Sequence, residues 1–289
     1  MPEKGNLPLI AAFKNPYETK ISYDAAKLIA LGGYHRVNTR KTHIIPWQAY
    51  YNKRGSRVLI HDGKIRDFPG PENDFYLMEI DGKALAVFLG TQPENAESEY
   101  AKQFIDIAQE LGIGKLLLMD DTIRNDVPHT RDAYYYYTHG SRKPSDPSLY
   151  PLTDDRENAG AGPLILFQAQ ENGIDSMGLE IIVPKYLPDH IYVQNHPYMK
   201  RLADKAHEII GMPLEESFLD TETREYENRY ISYMMADRQW RDDIEIMQAT
   251  FDHEWTRRNR PEAADPQPKV QLSAEMERFL KDLQYPHDC

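Results

Sequence analysis

The run Leu116, Leu117, Leu118, Met119 constrains this chain most, because of what stands on either side of it. Before it, Ala101, Phe104, Ile105, Ala108 and Leu111 recur at the spacing of one helix face, and Gly112 supplies a stop. Four consecutive apolar residues leave no solvent face, so residues 115 to 119 are expected to form a strand covered on both sides. A helix that feeds such a strand is the building unit of an α/β fold. The twelve residues that follow, Asp-Asp-Thr-Ile-Arg-Asn-Asp-Val-Pro-His-Thr-Arg from Asp120 to Arg131, are then expected to be a strand-end loop. In open α/β sheets, ligands bind outside the carboxyl ends of the strands.

The remaining elements fit around that unit. Residues 7 to 13 form an apolar run ending at Lys14-Asn15-Pro16, and Ile21, Ala25, Leu28 and Ile29 mark a helix closed by Gly32-Gly33. Strands are expected at 42 to 45 and 47 to 51. Further strands at 57 to 61 and 64 to 68 flank Asp62-Gly63, and those at 75 to 80 and 84 to 89 flank Asp81-Gly82, dipeptides suited to tight hairpin turns. Two hairpins in succession imply antiparallel pairs, so the sheet is mixed. A strand at 133 to 138 sends Tyr134 and Tyr136 to one face and Tyr135 and Tyr137 to the other. A helix over 163 to 172, a strand over 178 to 183, and a helix carrying Met199, Leu202, Ala203, Ala206 and Ile210 complete an α/β core over residues 1 to 213. Residues 214 to 289 turn acidic and rich in Tyr and Met. They are expected to be a helical appendage on the core or on a neighbouring subunit.

Composition narrows the function classes. A net charge of -12 opposes nucleic-acid binding, which needs a dense basic face. The single cysteine, Cys289, leaves no intrachain disulfide or thiolate cluster, and a reducing cytoplasm is its natural setting. No run reaches the ~20 apolar residues of a membrane span, and the first residues lack the apolar core of a signal peptide. There is no HExxH and no Cys/His cluster, so no metal or cofactor is expected. With no G-x-S-x-G elbow either, no catalytic residue is assigned, and the balance leans away from an enzyme.

Asp120, Asp121, Asp126, His129 and Arg131 nevertheless put carboxylate, imidazole and guanidinium in one stretch, a mixture able to bind a polar ligand or move a proton. The plainer alternative is that Asp126 or Thr130 caps a turn, His129 donates to a carbonyl, and Arg131 pairs with an aspartate. Asp120 and Asp121 adjoin, so on extended backbone they face opposite ways and make a poor catalytic pair. Gly160 and Gly162 before a helix either let amides approach an anion or form a tight turn. Interface candidates are Tyr134 and Tyr136 with Tyr226, Tyr230 and Met234 of the appendage, since Tyr and Met are favoured at protein contacts; for the tyrosine run, ordinary core packing with hydroxyls satisfied at the rim is the alternative.

Several separated stretches form a pattern along the chain. They are Tyr50-Tyr51-Asn52, Asp62-Gly63, Phe68-Pro69-Gly70-Pro71-Glu72-Asn73-Asp74-Phe75-Tyr76, Leu89-Gly90-Thr91-Gln92-Pro93 and Glu110-Leu111-Gly112-Ile113. The most specific is Val127-Pro128-His129-Thr130-Arg131, followed by Gly162-Pro163, Asn172-Gly173-Ile174, Val183-Pro184-Lys185-Tyr186 and Asn195-His196-Pro197. Together, in order and spacing over residues 10 to 213, these stretches resemble the proteasome assembly chaperone 2 family, in its bacterial and archaeal branch. Departures include Asp120-Asp121, where members often carry two glycines, Gln92 in place of an acidic residue, and Lys185 in place of a histidine. The resemblance implies a three-layer α/β/α fold with a mixed sheet, similar to that of purine nucleoside phosphorylases, and a homo-oligomer that acts as an interaction or assembly factor on a protein partner. It also sets Thr91, Tyr186 and Asn195 beside the loop residues as ligand-binding candidates. Its alternative is an enzyme or sensor for a nucleoside-like or carboxylate ligand, with His129 as acid or base, Arg131 as anion clamp and Asp126 as an orienting carboxylate.

Overall fold

The structure, a computed structural model, describes residues 6–14, 20–30, 39–45, 50, 59–61, 64–67, 72–80, 82–124, 127–139, 144–152, 160–186, 196–212 and 231–259. In chain order its elements are β1 (Leu7–Lys14), α1 (Ile21–Ala30), β2 (Arg40–Ile44), β3 (Leu59–His61), β4 (Lys64–Asp67), β5 (Asn73–Ile80) and β6 (Lys83–Thr91). There follow α2 (Glu97–Leu111), β7 (Ile113–Arg124), β8 (Tyr134–Tyr137), β9 (Leu149–Pro151), α3 (Ala161–Glu171), β10 (Asp175–Pro184), α4 (His196–Ile210), α5 (Ser232–Ala236) and α6 (Arg238–Asn259).

Among the described residues, eight strands form one mixed sheet in the order β2-β5-β6-β1-β7-β10-β8-β9. The central strands β6, β1, β7 and β10 run parallel, while β5 and β8 are antiparallel to their inner neighbours. One face of the central strands, through Ile10, Val87, Leu117, Met119, Leu179 and Ile181, packs on α1 and α4. The other face, through Leu9, Ala11, Phe88, Leu116 and Leu118, packs on α2 and α3. The chain is therefore an α/β protein with helices on both faces of its sheet, as a doubly covered β7 requires. Among the described residues, no helix is long and apolar enough to cross a membrane.

Two expectations change. The hairpin of β3 and β4 pairs outside the main sheet, so the mixed character comes from β5 and β8 rather than from both hairpins. And β7 does not end at residue 119. Its pairing with β10 continues through Asp120↔Glu180 and Asp121↔Ile181 to Arg124↔Pro184, which places both aspartates inside a strand rather than in a loop. Ladder hydrogen bonds to β10 outweigh the low strand propensity of aspartate there.

The tyrosines of β8 alternate as period-two geometry demands: Tyr134 and Tyr136 pack with the cluster under α1 and α4, and Tyr135 and Tyr137 with other clusters. Tyr137 lies opposite Gly178 on β10, where a Cβ would come within 2.3 Å of the tyrosine ring. Glycine is needed at that position because the ring covers the backbone.

Candidate functional site

Beyond the carboxyl end of β7, Val127 and Ala133 are buried with Tyr135, Tyr150 and Ile182 in a small apolar cluster that anchors both ends of the loop. Between them, the Arg131 N–H donates to the Pro128 carbonyl at 3.1 Å and closes a turn. His129 is folded inward and only 6% exposed. Its N–H donates to the Tyr186 hydroxyl at 2.6 Å, and its Nδ1 faces the same oxygen at 3.0 Å. Its Nε2 is buried and has no hydrogen-bond partner among the described residues. Burial, reinforced by the positive charge of Arg201, pulls the imidazole down to about 4, so His129 is neutral near pH 7.

Thr130 and Arg131 turn the other way, onto α6. Arg131 donates through Nε to Asp252 Oδ1 at 2.8 Å and through Nη2 to Asp252 Oδ2 at 2.7 Å, a two-toothed pair. The hydrogen bond between them raises the arginine pKa and lowers that of the aspartate. Thr130 Oγ1 lies 2.9 Å from the Gln248 side-chain amide, whose oxygen, in the orientation that satisfies both ends, accepts from Arg131 Nη2 at 2.6 Å. Around these bonds, Trp240 packs on Tyr186 and Phe251 on Tyr150, with ring centroids 6.1 and 5.9 Å apart. Ile244 and Met247 are buried. These positions, 240, 244, 247 and 251, form a single stripe at helical spacing. Beside the loop, Arg201 bonds Asp132 Oδ1 at 3.1 Å and lies over the Tyr198 ring.

The other sequence candidates fall elsewhere. Asp120 and Asp121 do point to opposite faces. The Asp120 carboxylate meets the Asp121 N–H at 2.9 Å and the Tyr137 hydroxyl at 3.5 Å, while Asp121 Oδ1 accepts the Ser22 N–H at 2.7 Å in the first turn of α1. A carboxylate at that place also complements the helix dipole. Thr91 donates its N–H to the Glu72 carbonyl and to Asn73 Oδ1. Gly160 has φ 73°, and the Gln92 amide lies directly on it, within 1.6 Å of where a Cβ would stand. Gly162 lets α3 approach Leu118. The Tyr134 hydroxyl donates to the Arg201 carbonyl at 3.2 Å, within the fold. Asp126, Asn195, Tyr226 and Tyr230 lie outside the described residues, as does the side chain of Met234.

Two groups escaped sequence reasoning. One is the contact stripe of α6, whose signal is the spacing of Trp240, Ile244, Met247 and Phe251. The other is a polar network near the carboxyl end of β6. There the Tyr23 hydroxyl donates to Glu72, the Tyr76 hydroxyl lies 3.3 Å from Glu72 and 3.4 Å from Asp74, and Lys41 pairs with Asp74 at 2.6 Å. Burial first, then these carboxylates, push both tyrosines up. Its signal was the Glu72-Asn73-Asp74 run. A cavity of about 620 Å³ sits instead at the amino ends of β7 and β10, lined in part by Lys115, Leu117, Asp146, Met177 and Glu208. It is at the opposite end of the sheet from His129.

The model of the PAC2 family matches residues 23–232. No functionally curated protein matches the chain. Among solved structures, a Corynebacterium glutamicum protein of unknown function superposes with a TM-score of 0.73 at 12% identity, covering 89% of this chain and 94% of that one. A Mycobacterium tuberculosis proteasome-assembly chaperone homologue gives a TM-score of 0.70 at 14% identity, covering 82% and 99%. The Pyrococcus furiosus archaeal proteasome activator PbaB gives 0.55 at 16% identity, covering 81% and 95%. At such identities the likeness is one of fold, whereas the family model spans most of the chain. The chain belongs to the PAC2 family.

Proposed function

We propose that this protein is a cytoplasmic, homo-oligomeric assembly factor that works by protein contact, with the segment 214–289 and the loop beneath α6 as its partner-facing region. Support comes from the family and from relatives described as a proteasome-assembly chaperone homologue and a proteasome activator. The observation that carries the reading is the closure of the strand-end loop by α6: Arg131 and Thr130 are engaged by Asp252 and Gln248. A two-toothed arginine, aromatic contacts and a rim amide are the chemistry of a protein interface. The exposed side of α6, with Asp242 and Glu245, is left for a partner. Affinity capture from the host with the full chain is expected to recover a specific protein that a chain lacking residues 214–289 loses while its core stays folded. Equal recovery by both overturns the reading.

A second reading draws on the same pair. Arg131 already grips a carboxylate, so a small carboxylate or nucleoside-like ligand replacing Asp252 would find a formed clamp beside His129. Its signature is a metabolite that raises the melting temperature of the wild type and has no effect on Arg131→Ala.

A further inference from the structure

We infer that the surface formed by Thr130, Arg131, Tyr150 and Tyr186 is a receptor for an amphipathic helix bearing a carboxylate at its anchor position, and that α6 occupies it as an internal competitor. The proposal goes beyond the protein-interaction reading: the partner of that reading contacts the exposed side of α6, whereas the helix inferred here takes the place of α6.

Three observations lead there. First, the contacts of α6 have the form of helix-in-groove recognition: Trp240, Ile244, Met247 and Phe251 make an i, i+4, i+7, i+11 row, and Asp252 sets the register by its two bonds to Arg131. Second, the helix is anchored at few points, with Asp243, Ile244 and Met247 the buried side chains among its described ones. Arg131 and Asp252 are 36% and 44% exposed, so solvent screens their attraction, and Arg238, Gln239, Asp242, Glu245 and Ala249 all face water. An element with few buried side chains belongs to the part of a protein that opens most readily. Third, the closed arrangement leaves His129 Nε2 buried and without a partner among the described residues, two positions from Arg131, and burying an unpaired polar group is costly. The hydroxyl that serves the rest of that imidazole belongs to Tyr186, whose ring is the seat of Trp240.

Because the competitor is tethered, it acts at a high effective concentration and masks the receptor from a helix offered in solution. Weakening the internal helix without touching the receptor must therefore raise affinity for an external copy of it. The probe is a fluorescein-labelled synthetic peptide of residues 238–259, and its binding to full-length protein is followed by anisotropy. The Trp240→Ala, Asp252→Asn chain is expected to bind it at least tenfold more tightly than the wild type. Adding Arg131→Gln to that chain should return affinity to the wild-type level or below, and a peptide carrying Asp252→Asn should bind more weakly. If the doubly substituted chain does not fold by circular dichroism, Asp252→Asn alone, which keeps the shape of the side chain, is expected to give roughly threefold tightening. Equal affinity for the wild type and a folded, weakened chain overturns the receptor, as does indifference to Arg131→Gln. Such a failure leaves the protein-interaction reading standing, since capture from cells scores that reading and this peptide does not.

Discussion

Arg131 and Asp252 stand 121 residues apart in the chain and meet through two hydrogen bonds of 2.8 and 2.7 Å. The pair joins the loop at the carboxyl end of β7 to the last described helix. Both side chains are partly solvated, so their mutual coupling is expected to be small. A double-mutant cycle with Arg131→Gln and Asp252→Asn, measured by urea unfolding, should give a coupling of about 0.5–1 kcal/mol that shrinks as salt is added. A coupling that is large and indifferent to salt would mean that the pair is sealed from water.

His129 supplies a pH test. Its pKa in the folded protein is about 4, below the ordinary histidine value of 6.5, because burial and Arg201 both oppose a positive charge. Unfolded chains take up the proton as pH falls through about 6.5, while the native state takes it up only near 4. Stability from this group is therefore complete above pH 6.5 and is lost progressively between 6.5 and 4, by roughly 3 kcal/mol in total at about 1.4 kcal/mol per unit. His207, lowered chiefly by its own burial, contributes with the same sign. His129→Asn should flatten the fall of unfolding free energy between pH 7 and 4.5, and an unchanged slope would contradict the assignment.

Ala96 precedes α2 with φ 53° and ψ 44°, and its side chain makes no cap. A left-handed backbone angle is costly for alanine and nearly free for glycine. Ala96→Gly is expected to raise stability by about 1 kcal/mol, read as a higher urea midpoint with an unchanged slope.

At Gly160 the direction reverses. Its φ of 73° strains any residue with a Cβ, and the Gln92 amide lying on it must shift to admit a side chain. Gly160→Ala should destabilise by about 1–3 kcal/mol. Gln92→Ala in the same chain should recover the part due to the clash and leave the part due to backbone strain. Additive losses would show that Gln92 plays no part.

Much of this fold was legible because apolar periodicity is a local signal. The stripe of α2 and the apolar run of β7 each state their burial in consecutive residues. Asp120 and Asp121 misled because charge at a strand end signals a loop, whereas here each carboxylate is met from a different layer, by Tyr137 and by the first turn of α1. Tyr137 is 17 positions from Asp120, and Ser22 is 99 from Asp121. The same limit applies to the site. Val127 to Arg131 could be singled out as a marker, but the residues that close it, from Trp240 to Asp252, are known only once the chain is folded.

Contact with another protein through the C-terminal helical region is read out by site-specific photo-crosslinking in the host cell. A crosslinker at Glu245, exposed on α6, is compared with one at Glu110, exposed on α2. One defined protein is expected to be joined through position 245 and absent from position 110. Identical products at both positions, or none at 245, would contradict it.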